Sequence, residues 1–122
     1  MSSTGTIGER FIRAVVTGDT EGARKLLAPD IHFRALTPAG LPEAENRDDV
    51  IATFAKWFSP HAVDEIVSVD DDDLFGRNRV GYRIRWHGDG GGQFLTEQQA
   101  YYDVHAEQIT WLHLICSGDR PI

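Results

Sequence analysis

The sequence has little cysteine, no long apolar run and no cluster of positive charge, and each shortage excludes a class of protein. Its single cysteine, Cys116, forbids an internal disulfide and is typical of a reducing compartment, so we expect the cytoplasm. No apolar run approaches the ~20 residues that span a bilayer, and no charged-then-apolar leader precedes the first predicted helix. The formal net charge of −7 argues against nucleic acids and anionic membrane surfaces as partners.

What is present is the composition of an ordinary globular domain. The 122 residues are 41% hydrophobic and 25% charged, a balance that excludes the disordered and fibrous classes. The chain has no internal repeat and no linker-like stretch, so it predicts a single domain over residues 1–122. A chain of this length buries enough apolar surface for a core of its own.

The last third of the chain predicts three antiparallel strands, over residues 79–88, 93–105 and 108–117. In the first of them apolar and polar residues alternate, which is the period of a half-buried strand. The third strand is apolar on both faces, with Ile109, Trp111 and Ile115 on one and Leu112, Leu114 and Cys116 on the other. A strand with two apolar faces has to be covered twice, by the chain's own helices and by something else.

Two helices are predicted at the start of the chain. After a frayed terminus at residues 1–5, Thr6 caps the first helix as part of a capping box, and Gly18 ends it. Asp19 or Thr20 caps the second helix, because either side chain can accept a hydrogen bond from an amide of the first turn. Both helices carry an apolar stripe, so we expect them to cover a common core.

The middle of the chain predicts a strand, a helix and another strand. Pro29 is expected to stop the second helix, and a strand follows over residues 30–35. After an irregular loop, Asn46 caps a third helix, which is expected to end at Pro60. The next strand covers residues 63–70, and the run of aspartates at its end is expected to form a solvated turn.

Helices followed by a meander of strands predict an α+β fold, with the helices packed on one face of a curved antiparallel sheet. A sheet wrapped around a layer of helices encloses a cone. The open end of such a cone is a natural small-molecule pocket.

The element order and several local stretches resemble a known superfamily. The stretches are FIRAVVTGDTEGARKLLAPDI, LTPAG, RDDVIATFAKWF and the closing hairpin that ends in QITWLHL. Together they resemble the nuclear-transport-factor-2-like (NTF2-like) superfamily, in particular its SnoaL-like polyketide cyclase and ketosteroid isomerase branch. The resemblance implies a cystatin-like cone, a mixed sheet around three N-terminal helices, and an apolar aromatic or polycyclic carbonyl compound as the ligand.

The catalytic positions of these relatives fall on residues that lack the required groups. The isomerase's oxyanion tyrosine and base aspartate match Phe11 and Ala35, and its protonated aspartate falls near Ala100. The acidic group on the final strand of the cyclases falls near Leu114. Two classes of function therefore stay open: a cyclase, isomerase or dehydratase that uses other donors, and a catalytically silent ligand-binding or dimeric interaction domain on the same fold.

The predicted pocket is lined by the first and third helices and by the inward face of the sheet. Its predicted ligand-binding residues are Phe11, Val15, Phe33, Phe54, Trp57, Tyr82, Ile84, Trp86, Gln98, Tyr102, Leu112 and Leu114. The alternative is a filled core without a cavity, because aromatic stripes are usually core.

Four side chains are candidates for catalysis. Gln98 and Tyr102 share an apolar face, so they are predicted to be buried polar groups that need partners, either a core neighbour or a ligand carbonyl. Tyr82 offers a phenolic donor that polarises a carbonyl. His113 titrates near physiological pH, but strand alternation places it on the outer face, and only a register error of one residue would turn it inward.

The outward face of the last strand predicts a partner surface. Ile109, Trp111, His113 and Ile115 form a flat apolar-aromatic patch that fits a twofold homodimer interface, and Trp111→Asp is expected to give a monomer. The five histidines lack the spacing of a zinc site, and the aspartate run lacks the glycine and closing glutamate of a calcium loop. We therefore expect no metal and no cofactor.

Overall fold

The computed structural model describes residues 6–59 and 61–122, so the predicted frayed terminus at residues 1–5 and the predicted helix stop at Pro60 lie outside the described residues. The described part contains three helices, α1 (Ile7–Thr17), α2 (Thr20–Lys25) and α3 (Arg47–Trp57). Its strands are β1 (Leu27–Leu36), β2 (Glu43–Ala44), β3 (Val63–Leu74), β4 (Arg77–His87), β5 (Gln93–His105) and β6 (Gln108–Pro121). None of the described helices is long and apolar enough to cross a membrane.

The strands form one six-stranded sheet in the order β2-β1-β6-β5-β4-β3. β1 and β6 pair in parallel, and every other neighbouring pair is antiparallel, so the sheet is mixed. The helices pack on one face, here called the inner face, where their apolar residues join those of the strands in a single core cluster. The predicted α+β cone is therefore confirmed.

The helix starts follow the predicted capping chemistry. Thr6 accepts a hydrogen bond from the amide of Glu9 at 3.2 Å, and Asn46 accepts one from Asp49 at 2.9 Å. Asp19, rather than Thr20, caps α2 by accepting from Gly22 at 2.9 Å. Each cap satisfies an amide that the first turn of the helix leaves without an intrahelical partner.

Pro29 does not stop α2, and this prediction was wrong. The helix ends at Lys25, and Pro29 lies within β1. The change of structure comes earlier because the carbonyl of Leu26 accepts a hydrogen bond from the amide of Ile109, 2.8 Å away on β6. Pairing with a strand from the far end of the chain thus decides where the helix gives way to extended backbone.

The aspartate run at residues 70–73 lies within β3, and the predicted turn was wrong. The strand continues to Leu74 in unbroken pairing with β4. Arg79 on β4 bonds Asp70 at 3.1 Å and Asp72 at 3.0 Å, so the arginine offsets the repulsion between the aspartates. Cross-strand pairs of opposite charge stabilise a sheet where a single-strand view shows only like charges.

Ile109 faces the core, and its predicted place on the outward patch was wrong. Its side chain is 1% exposed and belongs to the core cluster. The register of β5 and β6 shifts between Asp103 and Val104, so that Val104 pairs with Ile109 and Asp103 with Trp111. This bulge adds one residue and reverses the alternation. Trp111 and His113 consequently lie on the outer face, as predicted.

Candidate functional site

The open end of the cone holds a cavity of about 450 Å³. It lies between the end of α3, the loop after β1, the hairpin that joins β4 to β5, and the last residues of β6. Its inner wall includes Trp57, Phe58, Trp86, Thr96, Gln98 and Cys116. A concave, mainly apolar space with a few polar groups is the usual form of a small-molecule site.

Three of the twelve predicted ligand-binding residues line this cavity: Trp57, Trp86 and Gln98. The other nine fill the core or lie at its edges; these are Phe11, Val15, Phe33, Phe54, Tyr82, Ile84, Tyr102, Leu112 and Leu114. Aromatic packing explains the difference, because Phe54 stands edge-on to Phe11 at 5.3 Å and to Trp57 at 5.1 Å between ring centroids. The centre of the cone is a solid core, and the cavity begins beyond it.

Gln98 is the polar group that the cavity buries most deeply. Its residue exposure is 1%, and its Oε1 accepts a hydrogen bond from the Tyr82 hydroxyl at 2.5 Å. Its Nε2 is also buried but has no hydrogen-bond partner in the described part of the chain. An unsatisfied buried donor costs about 1–3 kcal/mol, so this amide is poised to bind an acceptor.

Tyr82 orients Gln98 from behind and does not line the cavity. Burial, followed by the electrostatic influence of nearby Cys116, raises the pKa of Tyr82 well above its ordinary value of 10.0. The phenol therefore stays protonated at neutral pH and donates its proton to Oε1. With Oε1 engaged in this way, Nε2 of Gln98 is the part of the amide that is left for another molecule.

A chain of hydrogen bonds runs along the same wall to a carboxylate. Trp86 Nε1 donates to Thr96 Oγ1 at 2.9 Å, and Thr96 Oγ1 donates to Asp119 Oδ1 at 2.6 Å. Thr96 is 2% exposed, whereas Asp119 lies at the mouth of the cavity. The arrangement holds a carboxylate in one orientation beside an apolar space.

Sequence reasoning missed both Thr96 and Asp119. Thr96 could have been predicted from the inward face of Gln98, because residues 96 and 98 of a regular strand share a face. Asp119 was not, because β6 was predicted to end at Ser117. The strand in fact continues to Pro121 through Gly118, whose φ is 90°, and Asp119 pairs with Thr96.

Cys116 lies directly across from Gln98 and lines the cavity, where it is half-buried. The rim around it is polar. His87 bonds Asp64 at 2.9 Å, and Lys56 projects from the last turn of α3. A polar rim around an apolar interior admits a ligand while it keeps the mouth hydrated.

The remaining two catalytic candidates lie away from the cavity. The Tyr102 hydroxyl donates to Asp71 Oδ2 at 2.6 Å and accepts from the amide of Gly8 at 3.2 Å. Burial, then the bond to Asp71, raises the pKa of Tyr102. This tyrosine anchors the start of α1 to the sheet. His113 lies on the outer face, where its ring stacks on Trp111 at 3.9 Å.

Within residues 6–59 and 61–122, no group of three or more His, Cys, Asp and Glu side chains is placed to hold a metal ion. The polar groups deepest in the cavity wall are the Gln98 amide and the Thr96 hydroxyl, with the Asp119 carboxylate at the mouth. They can donate a hydrogen bond to an oxygen and exchange a proton with a carbon or oxygen acid.

Comparison with known proteins agrees with the fold. The profile of the SnoaL-like domain matches residues 8–113. The chain belongs to the SnoaL-like domain family. A search of curated proteins found none that matches this SnoaL-like sequence significantly.

Solved structures share the fold of this SnoaL-like chain at low sequence identity. A protein from Xanthomonas campestris pv. campestris, provisionally named a polyketide cyclase, has a TM-score of 0.69 at 16% identity, over 89% of this chain and 86% of that one. A protein of ketosteroid isomerase-like fold from Catenulispora acidiphila, in complex with trimethylamine, has a TM-score of 0.68 at 14% identity, over 92% of this chain and 85% of that one. An NTF2-like protein from Burkholderia xenovorans has a TM-score of 0.64 at 17% identity, over 91% of this chain and 86% of that one. The predicted membership of the NTF2-like superfamily is confirmed.

Proposed function

We propose that this SnoaL-like chain binds a small aromatic or polycyclic carbonyl compound in the cavity and moves a proton at the carbon next to the carbonyl. The observation that carries this proposal is the buried Nε2 of Gln98, which has no hydrogen-bond partner among residues 6–59 and 61–122. A ligand carbonyl supplies the missing acceptor. The indoles of Trp57 and Trp86 line the same cavity and suit a flat apolar ring.

In this mechanism Asp119 is the base. Its carboxylate takes the proton from the carbon beside the carbonyl, and the electrons of the C–H bond form the enolate double bond. The negative charge moves to the oxygen, where the Nε2–H of Gln98 donates to it. Thr96 holds the carboxylate through the 2.6 Å hydrogen bond. Return of the proton to the same or another carbon completes an exchange or an isomerisation.

The first prediction tests binding and proton transfer separately, with 2-tetralone as the probe. We expect the probe to raise the melting temperature, because it binds only the native state, and its α-protons to exchange with D₂O faster in the presence of the protein. Gln98→Met is expected to abolish the melting shift. Asp119→Asn is expected to keep that shift and to lower the exchange rate by about a hundredfold or more, the usual contribution of a general base.

Asp89→Asn is the matched control, because Asp89 lines the mouth of the same cavity and has no bond to Thr96 in the structure. It is expected to keep both binding and exchange. If Asp89→Asn lost as much exchange as Asp119→Asn, the negative charge at the rim would be responsible for exchange, rather than the carboxylate that Thr96 holds. A Gln98→Met protein that folds and still binds would remove the proposal.

The alternative is a binding domain without catalysis. It is favoured by the four positions that carry catalytic groups in related proteins, since Phe11, Ala35, Ala100 and Leu114 are at most 5% exposed and belong to the core. A melting shift without any acceleration of exchange would support this alternative. The same pair of measurements therefore decides between the two functions.

We also propose the cytoplasm as the compartment, on the ground of the single cysteine. A half-buried thiol on the wall of a ligand cavity is exposed to oxidation in an oxidising compartment. Fractionation of the expressing cells tests this assignment, and recovery of the protein from an extracytoplasmic fraction would contradict it.

A further inference from the structure

Cys116 lies on the wall of the cavity and has no role in the proton transfer proposed above. It is the single cysteine of the sequence, so its thiol has no partner for an internal disulfide. Its side chain is half-buried and packs against the core cluster on one side. A thiolate is intrinsically a strong nucleophile. Any molecule that occupies the cavity therefore lies beside a group that can form a bond to carbon.

Gln98 is the residue directly opposite Cys116 in the pairing of β5 with β6. Opposed residues project from the same face of a sheet, with their Cβ atoms about 4.5–5.5 Å apart. Both residues line the cavity, and Nε2 of Gln98 is buried without a hydrogen-bond partner in the described part of the chain. A nucleophile and a donor that lacks an acceptor thus lie side by side on one wall.

The surroundings of the sulfur favour addition over displacement of a leaving group. The amide of Gly118 donates to Sγ at 3.4 Å, in a turn where the φ of Gly118 is 90°. Tyr82 stays neutral, because burial and then Cys116 raise its pKa well above 10.0, so it places no negative charge beside the sulfur. His87 on the rim bonds Asp64 at 2.9 Å. It is therefore not paired with the sulfur as the base of an acyl-transfer enzyme is.

We propose that the ligand is an α,β-unsaturated carbonyl compound, and that Cys116 adds reversibly to its β-carbon while Gln98 holds its oxygen. The inference rests on the proposed function for one element, the carbonyl at Gln98, and it adds the substrate class and the nucleophile. The oxygen and the β-carbon of such a compound belong to one short, flat conjugated unit, so one molecule contacts both side chains. Trp57 and Trp86 line the same cavity and suit a flat unit.

The addition balances without an oxidant, a reductant or a further reactant. The thiol gives up its proton, and a lone pair of Sγ forms a bond to the β-carbon. The π electrons of the carbon–carbon double bond form the enolate double bond, and those of the carbonyl move to the oxygen, to which Nε2–H of Gln98 donates. A proton then reaches the α-carbon. Overall, one S–H bond and one C=C π bond break, and one S–C bond and one C–H bond form.

Reversal uses the base that the proposed function already assigns. Asp119, at the mouth of the cavity, takes the α-proton from the adduct as it takes the α-proton from a ketone. The enolate that forms expels the thiolate and restores the carbon–carbon double bond. Addition and proton transfer therefore act on the same carbon of the ligand, which is why an enone fits this wall better than a simple alkylating agent.

The second prediction is a covalent adduct with benzylideneacetone, a flat aryl enone. The full chain at neutral pH is expected to gain the mass of one whole probe molecule, measured by intact-protein mass spectrometry, as the absorbance of the enone falls. The folded chain is expected to react at least about tenfold faster than the same chain unfolded in urea, because only folding places Gln98 beside the thiol.

Three variants and one control locate the reaction. Cys116→Ser is expected to form no adduct and to keep its circular dichroism spectrum. The double variant Cys116→Ser with Ser117→Cys moves the thiol to an exposed position outside the cavity wall, where it is expected to react as slowly as the unfolded chain. Gln98→Met is expected to slow the reaction at least about tenfold. Gln99→Met is the matched control, because the next residue of β5 does not line the cavity, and it is expected to react like the wild type.

Release of the probe tests the reversal. Dialysis of the adduct is expected to restore the original mass of the wild type, and to do so at least about tenfold more slowly in Asp119→Asn, which lacks the base. A wild-type adduct that persists through dialysis overturns the reversible step. Equal release from the two proteins overturns the assignment of Asp119 to it.

Benzylacetone, which lacks the carbon–carbon double bond, separates failure of this inference from failure of the proposed function. A melting shift with benzylacetone but no adduct with benzylideneacetone overturns the addition and leaves carbonyl binding intact. An adduct without exchange of the α-protons of 2-tetralone supports the addition and contradicts the proposed proton transfer. An adduct that forms equally fast in Gln98→Met, or in the unfolded chain, shows an ordinary thiol and overturns the inference.

Discussion

Two buried nitrogen atoms lack hydrogen-bond partners in the described part of the chain, and they lie on opposite faces of the sheet. They are Nε2 of Gln98, a residue that lines the cavity, and Nε2 of His113, a residue that lines a groove on the outer face. Each buried polar group without a partner destabilises the fold by about 1–3 kcal/mol. Such a group is explained where another molecule supplies the missing partner. The first of these atoms thus marks the proposed ligand site.

Gly8 is the residue on which the third prediction rests. A Cβ at this position would lie 2.5 Å from the Tyr102 hydroxyl and 2.5 Å from Asp71 Oδ2. Gly8→Ala is therefore expected to push apart the group that anchors α1 to the sheet, at a cost of about 1–3 kcal/mol in the free energy of unfolding. Urea denaturation measures this cost.

Gly90→Ala provides the control for that experiment. Gly90 lies in the hairpin between β4 and β5, where an added Cβ meets nothing within 4 Å. Its free energy of unfolding is expected to stay within about 0.5 kcal/mol of the wild type. Equal stability of Gly8→Ala and Gly90→Ala would show that the anchor relaxes without cost.

β6 contributes side chains both to the cavity and to the outer face, because irregularities in its pairing change the direction of its side chains. The shift near its start turns Ile109 into the core and leaves Trp111 and His113 on the outer face. A second shift, between Thr96 and Gln98 of β5, carries Asp119 to the cavity. Bulges of this kind change the direction of a side chain without ending the strand.

The fourth prediction concerns Gly118, which has a φ of 90° next to Asp119. A Cβ here would be strained and would lie 3.0 Å from Pro38 Cγ. Gly118→Ala is expected to cost about 1–2 kcal/mol in stability. By moving Asp119 away from Thr96, it is also expected to lower the α-proton exchange rate more than it lowers the melting shift with 2-tetralone.

Gly92→Ala is the comparison, since its added Cβ would make only an ordinary contact with Phe94, at 3.7 Å. It is expected to leave both measurements near those of the wild type. If Gly118→Ala retains full exchange activity although it is destabilised, the position of Asp119 does not depend on the glycine.

The molecule as a whole is built on a filled core that reaches the cavity at one end and the Tyr102 anchor at the other. Tyr82 and Tyr102 are the buried phenols at these two ends, and burial raises the pKa of each above its ordinary value of 10.0. Their protonated forms are favoured in the folded state. Ionisation of either phenol at alkaline pH is therefore expected to destabilise the folded state.

The fifth prediction is a loss of stability above about pH 10. An acid whose pKa is raised by folding contributes its full stability below the ordinary pKa and loses it as the pH rises toward the folded value. The free energy of unfolding, from urea titrations at about pH 9 and about pH 11, is expected to fall between the two. Tyr102→Phe is expected to be less stable at about pH 9 and to lose less on going to about pH 11. An identical loss in the two proteins would contradict the coupling.

The period of two along residues 79–105 determined the inner face of β4 and β5, and with it the burial of Tyr82, Gln98 and Tyr102. The caps at Thr6 and Asn46 determined where two helices begin. These features follow from the sequence because each depends on residues within a few positions of one another.

Only the tertiary structure decided where the cavity lies, which way Ile109 points and how Asp119 reaches Thr96. These depend on which strand pairs with which, and at what register. A bulge of one residue reverses an alternation that the sequence alone shows as unbroken. The aspartates of β3 likewise become strand only because Arg79 stands opposite them. Local periodicity specified the faces, and contacts between residues far apart in the chain specified the site.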